Sequence, residues 1–481
     1  MAELMSRLLA FPPDKKKLSA KEYDTKIQEY QKDLAKLSEK DWNKQVEKKN
    51  ILELLDPETN SIAYASALMH QIESNSKNQQ KLEHLTGLVD VFLANFDPVQ
   101  VRYMGDSWRS LFEWSAKVAE SKSSGVVHLV YALLRLDPSV GTFTSSHLRL
   151  VQLALANDVP SQVLPILDKD IYAFPQRPVK NVPEDILSDD HELSNVFITE
   201  KSGFSAKLTS ENVLQYYLLG AHIYIGRRNF NRARLFLEYI ILSPCQAHTT
   251  SALQVEAYKK WLLIGLLSEG KSFPLPKTAD QITIKNIRSL AKPYDALVDS
   301  FEKRDYKKFQ AEMQVAEGWW QQDGNVGLVT EAHNALMRYR VVDLQKTYAA
   351  LPVSRVASLI EVPADNTSQL LADMISRGYL KASIAGSGAD AVLRFHETSL
   401  SSAAVDDDLD LQTQRITALV AFIRDADTRL QLTKEYVEWL KRAKRSGGPD
   451  GDIADVMDLT WDPPMSQGNV DEDGDEDIMG P

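Results

Sequence analysis

One cysteine, Cys245, stands among 481 residues, so no disulfide can close within the chain. A reducing compartment, cytosol or nucleus, is therefore expected rather than secretion. No apolar run approaches the roughly 20 residues that a membrane span needs. The opening "MAELMSRLLAFPPDKKK" has a short apolar stretch ended by two prolines and three lysines, and does not read as a secretory leader. Reactive chemistry is equally sparse. There is no GxxxxGK[ST] phosphate loop, HExxH, HxH pair or CxxC, and no serine sits in a GxSxG setting. The nine histidines are scattered; His128 and His222 lie in apolar helical surroundings, where a lone histidine reads as a core residue. Cys245 has only His248 nearby as a cation that could activate its thiol. No catalytic, metal or cofactor-binding residue is assigned, and an enzyme is not expected.

Excess positive charge is also missing. The net charge is −12, but no Lys or Arg follows Arg445, while 11 Asp and Glu do. The rest of the chain is almost neutral, a poor basis for general nucleic-acid binding. Residues 447–481, acidic and low in hydrophobics, read as a disordered tail. Within them "DVMDLTWDPPM" holds Met457, Leu459 and Trp461 among acids. This is either a short motif for a partner's groove or a solvating tail with incidental apolar residues.

What the chain does contain is helical periodicity, and the expected class is mostly α. Residues 1–60 read as a charged helical segment, with Ile27, Tyr30, Leu34, Leu37 and Trp42 on one face of a solvated helix that docks onto something. Residues 61–325 read as an α-solenoid of tetratricopeptide-like helix pairs. "LEHLTGLVDVFLANF" places Leu82, Leu85, Val89, Phe92 and Phe96 on one stripe. Tyr216, Gly220, Phe236 and Pro244 fit the repeat pattern, whereas Ala233 is one place off it. Prolines and acids interrupt the rhythm over about 169–208, which reads as a loop-rich connector.

Residues 326–398 read as a winged-helix module, entered by a long helix over about 327–350. "VSRVASLIEV" gives a short helix, and "TSQLLADMISRG" a third helix with Asp365 or Thr367 as N-cap and Gly378 as its stop. "LKASI" and "AVLRF" are two strands joined by the turn "AGSGAD". A DNA reader needs Arg, Lys, Asn or Gln along the third helix and cations for phosphate. This one exposes Asp365, Asn366, Gln369, Asp373 and Ser376, with Arg377 only at its end. The open edges of a two-stranded sheet suit another protein's strand better. The candidate interface residues are Ser383, Ile384, Val392, Leu393, Arg394 and Phe395. Residues 408–446 form one further helix, with Ile416, Leu419, Val420, Ile423, Leu430, Val437 and Leu440 on a sustained apolar stripe. That stripe either meets partner helices or folds back on the repeats.

Helical repeats, a winged helix and a following long helix resemble the PCI family. "ENVLQYYLLGAHIYIGRRNFNRARLFLEYIILSP", "EAYKKWLLIGLLSEG", "DGNVGLV" and "ADMISRGYLKASI…VLRFHE" resemble, within it, the family of third subunits of the constitutive-photomorphogenesis (COP-nine) signalosome. The similarity spans roughly residues 145–440. The resemblance implies a non-catalytic scaffold in the complex that removes the ubiquitin-like NEDD modifier from cullin-RING ubiquitin ligases. Its zinc hydrolase lies in another subunit, with an HxH motif. The family aligns its wings edge to edge, placing the third subunit between subunits one and eight, and gathers the following helices in a bundle. Implied partners are the other signalosome subunits and, indirectly, cullin-RING ligases, with no membrane and no nucleic acid. Alternatives are a scaffold of the proteasome lid or of translation initiation factor three, or a nucleic-acid-binding PCI protein.

Overall fold

The computed structural model describes residues 2–11, 18–46, 49–177, 186–191, 193–244, 249–361, 364–386, 391–396, 402–432 and 434–445. The acidic tail with Met457, Leu459 and Trp461 lies outside these residues, as do Cys245 and His248.

The N-terminal segment finds its docking surface within the chain itself. In the helix Ala20–Leu34 the buried residues Tyr23, Ile27, Tyr30 and Leu34 recur every three to four positions. Ser19 and Glu22 close a capping box at its start. Phe11 packs between the rings of Tyr23 and Tyr30, at 5.2 and 5.4 Å. The Asn60 amide donates to Phe11 O at 2.8 Å and the Gln31 amide to Tyr103 O at 2.8 Å. The expected solvated helix is therefore the first layer of the repeat core.

Packed helices follow: Ser61–Ser74 with Gln79–Asn95, Gln79–Asn95 also with Val127–Leu136, and Gly105–Ser121 with Ser145–Ala156. The best-formed pair is Ser210–Gly226 with Phe230–Ile241. Its closeness depends on Gly220, where a Cβ would come within 2.7 Å of the Phe236 ring. Ala233 is fully buried, so its displacement from the repeat pattern leaves packing intact.

His147, at the third position of Ser145–Ala156, accepts the Thr144 N–H through Nδ1 at 3.0 Å. Complete burial lowers its pKa to about 4. The unfolded chain, with an ordinary imidazole near 6.5, binds the proton first as pH falls, so stability declines between about 6.5 and 4. Between pH 7 and 5 the expected cost is on the order of 2 kcal/mol. His147→Gln, which keeps an acceptor for Thr144, should flatten that part of the pH–stability curve in thermal melts.

Among its described residues the connector has one short 3-10 turn, Ser194–Val196, and it is strapped onto the first repeats. Tyr172 N–H donates to Gly141 O and Phe143 N–H to Ala173 O, both at 2.9 Å. The Arg102 guanidinium donates to Leu187 O at 2.7 Å and Asp189 O at 2.8 Å, and lies 4.4 Å over the Phe197 ring. A Cβ at Gly105 would meet Ser202 O at 2.1 Å, so only glycine allows this backbone contact.

Further helices lead through Ala252–Ser268, Lys292–Glu302 and Tyr306–Val315 to the long helix Val326–Gln345. The repeat core runs from Leu8 to Leu336, and a second core runs from Val341 to Leu393. One helix thus carries the end of one core and the start of the other. It stops before the expected 350, which frees Ala350–Pro352 to form a strand.

Candidate assembly surfaces

The start of the shared helix is fixed by buried polar groups. Lys259 pairs with Asp323 at 2.8 Å, and Lys260 donates to Asn325 Oδ1 at 2.9 Å. The Tyr294 hydroxyl donates to Asp323 at 2.7 Å and accepts from the Asn325 amide at 2.8 Å. Gly324 between them takes φ +65. Two blocks singled out in the sequence, "EAYKKW" and "DGN", therefore interlock. Further along, Arg340 donates to Leu359 O and Ile360 O at 2.9 and 3.0 Å, satisfying the end of the short helix Val353–Ile360. Lys307 reaches Glu361 at 3.1 Å across the same seam.

The winged helix has three strands, one more than expected, in the order Ala350–Pro352, Val392–Phe395, Ala382–Ala385. Val392, Leu393, Arg394 and Phe395 thus occupy the central strand and offer no free edge. Leu393 is wholly buried in the module's core, so its side chain is not a contact surface. Ser383 and Ile384 do lie on an edge strand.

The two edges differ. His396 N–H donates to Lys381 O, which sets the alternation along that pair and points the backbone groups of Ala382 and Ile384 outward. On the other side Phe395 N–H donates to Ala349 O, which turns Ala350 and Pro352 outward. Proline has no N–H, so that edge is blunted. Ala382–Ala385 is the edge able to accept a strand.

The third helix is Ala364–Ser376. It begins before the expected caps, so Asp365 and Thr367 are its second and fourth residues and Thr367 is buried. Gly378 ends it with φ +74, as expected. Arg377, the cation at its end, pairs with Asp373 at 3.0 Å rather than standing ready for phosphate.

The C-terminal region is helical over Ser402–Leu432 and Lys434–Arg445, on either side of residue 433, which lies outside the described residues. None of their described side chains contributes to either core. Ile416 is 62% exposed, and Leu419, Ile423, Leu430 and Val437 are also exposed, with Val420 and Leu440 half-buried. The stripe therefore does not fold back on the repeats. Leu409, Ile416, Ile423, Leu430 and Val437 recur every seven residues, the spacing of a supercoiling helix. Sequence reading missed Leu409, which the heptad period would have found, and Phe422, 58% exposed and off the stripe.

The His128 and His222 sites do not have catalytic geometry. His128 and His222 are half-buried beside Asp90 and Glu256, at 3.6 and 3.4 Å, rather than in an apolar core. Ser115 donates to Asp90 at 2.7 Å and meets His128 Nε2 at 2.9 Å. In a hydrolytic triad the carboxylate holds the far ring nitrogen and the serine is open to substrate. Here the carboxylate faces the same nitrogen, the serine proton is committed to it, and Ser115 is 2% exposed. Among the described residues no group of His, Cys, Asp and Glu could hold a metal ion.

A helical-repeat arm running into a winged helix with one free edge is the class of PCI proteins, and residues 304–387 match the PCI domain family. Residues 22–283, more than half the chain, match the family described as COP9 signalosome complex subunit 3, N-terminal helical repeats. The protein of that name from Emericella nidulans is 34% identical over 353 residues, covering 72% of this chain and 71% of its own. Those of Neurospora crassa and Dictyostelium discoideum are 28% and 24% identical, covering 81% and 86% of this chain and 81% and 93% of theirs. The chain belongs to the COP9 signalosome complex subunit 3 family.

Proposed function

We propose that the chain is a non-catalytic scaffold subunit of the signalosome, the complex that removes the ubiquitin-like NEDD modifier from cullin-RING ubiquitin ligases. It works in the cytoplasm and nucleus, and meets cullin-RING ligases through the complex rather than through a site of its own. The observation that carries the reading is the apolar stripe over residues 409–440, exposed on helices whose described residues lie outside both cores. Stripes of this size mark interfaces. Partner helices of other subunits cover it in a bundle, and the Ala382–Ala385 edge takes a strand from a neighbouring wing. Subunits one and eight are the expected neighbours.

The edge can be tested separately from the bundle. Ile384→Pro removes an outward N–H without removing a bond to the central strand, and adds a ring where the partner strand approaches. Losing one or two hydrogen bonds at about 1 kcal/mol each weakens wing pairing by roughly tenfold. Pairwise co-purification with the neighbouring PCI subunits measures this, with a thermal melt to confirm folding. Full pairing by the folded variant would rule the edge out.

A further inference from the structure

We propose that the cleft between the repeat arm and the winged helix docks this chain's own acidic tail, with Trp461 as the anchor. The cleft has a volume of about 360 Å³ and combines residues of the repeats, the shared helix and the wing. Phe230 comes from the repeats, Tyr339 and Val342 from the shared helix, and Tyr379 from the end of the third helix of the wing. Apolar and aromatic walls of this kind accept a flat indole.

The charges select what surrounds that indole. Arg228 is offset by Glu331 at 2.5 Å. Arg338 lies 4.5 Å over the Tyr379 ring and finds no carboxylate among the described residues. Tyr379 is itself 52% exposed, so the pair forms an open platform with one net positive charge. An aromatic residue flanked by acids complements it: the ring adds to the stack and a carboxylate reaches the guanidinium. The tail supplies that arrangement in "DLTWDPP", residues 458–464, and has no Lys or Arg of its own to neutralise its acids.

Reach sets the path of the helices. Trp461 lies 16 residues past Arg445, a span of up to about 55 Å when extended. The helical segments of 31 and 12 residues are about 65 Å end to end at 1.5 Å per residue. Docking of Trp461 therefore requires these helices to lean back along the body rather than run straight outward.

The test uses the full chain with p-benzoylphenylalanine placed at position 461, irradiated as the isolated protein and mapped by mass spectrometry. The expected cross-links are within one chain, onto residues 338–342 and 379. Arg338→Glu should cut their yield at least fivefold. Arg377→Glu, on the same module but outside the cleft, should leave it unchanged. Thermal melts confirm that both variants fold. Cross-links elsewhere or only between copies, or a yield indifferent to Arg338→Glu, would overturn the proposal. Because the isolated chain is used, the result is independent of signalosome assembly.

Discussion

A chain ended after His396 should fold and stay soluble but fail to enter its complex. Both cores are complete by Leu393, and the described residues of the C-terminal helices lie outside them. Removing those helices therefore costs the remaining fold little, and melting temperatures of the truncated and full chains should agree within a few degrees. Assembly should behave differently. Each Leu, Ile or Val side chain of the stripe is worth about 1.5–3 kcal/mol when buried by partner helices. Even after the cost of ordering the interface, losing all of them should lower affinity by at least a hundredfold. Gel filtration of reconstituted subunits reads this directly. A truncated chain that still elutes with the complex would show that the bundle is not the anchor.

The second large effect is inside the fold. Asp323→Ala should strand the buried Lys259 ammonium and leave the Tyr294 hydroxyl without its acceptor. Breaking a buried ion pair by deleting one partner costs about 3–5 kcal/mol. Asp323 retains some solvent access, which brings the expectation to about 2–4 kcal/mol. The exposed pair Asp33–Lys36 provides the contrast, and Asp33→Ala should leave the melting temperature nearly unchanged. Parallel thermal melts separate the two. Equal shifts would mean that the "EAYKKW"–"DGN" interlock contributes no more than a surface contact.

These effects fall on features of unequal legibility. The wing module was readable because its period switches from 3.6 to 2 at Gly378, where a positive φ is required. Its third strand was not. Ala350 and Leu351 follow a helical run and have helical propensity, and only pairing with Val392–Arg394 makes them a strand. That miss mattered, because it moved the central strand's residues off the edge and left Ala382–Ala385 as the free one. The stripe of Ile27, Tyr30 and Leu34 was plain, but its target was not, since the contacts join residues separated by tens of positions, such as Gln31 and Tyr103. The connector holds by backbone hydrogen bonds and a glycine contact at Gly105, neither of which leaves a periodic signal. The interlock joins two blocks of sequence, "EAYKKW" and "DGN", with nothing in either to say that they meet.

Mass spectrometry of the full chain purified from native lysate at moderate salt tests the central claim most directly. Stoichiometric recovery with other PCI subunits and a zinc-hydrolase subunit is expected, with removal of the NEDD modifier from cullins in the eluate. Recovery as a lone monomer, or with proteasome or ribosomal components instead, would contradict it.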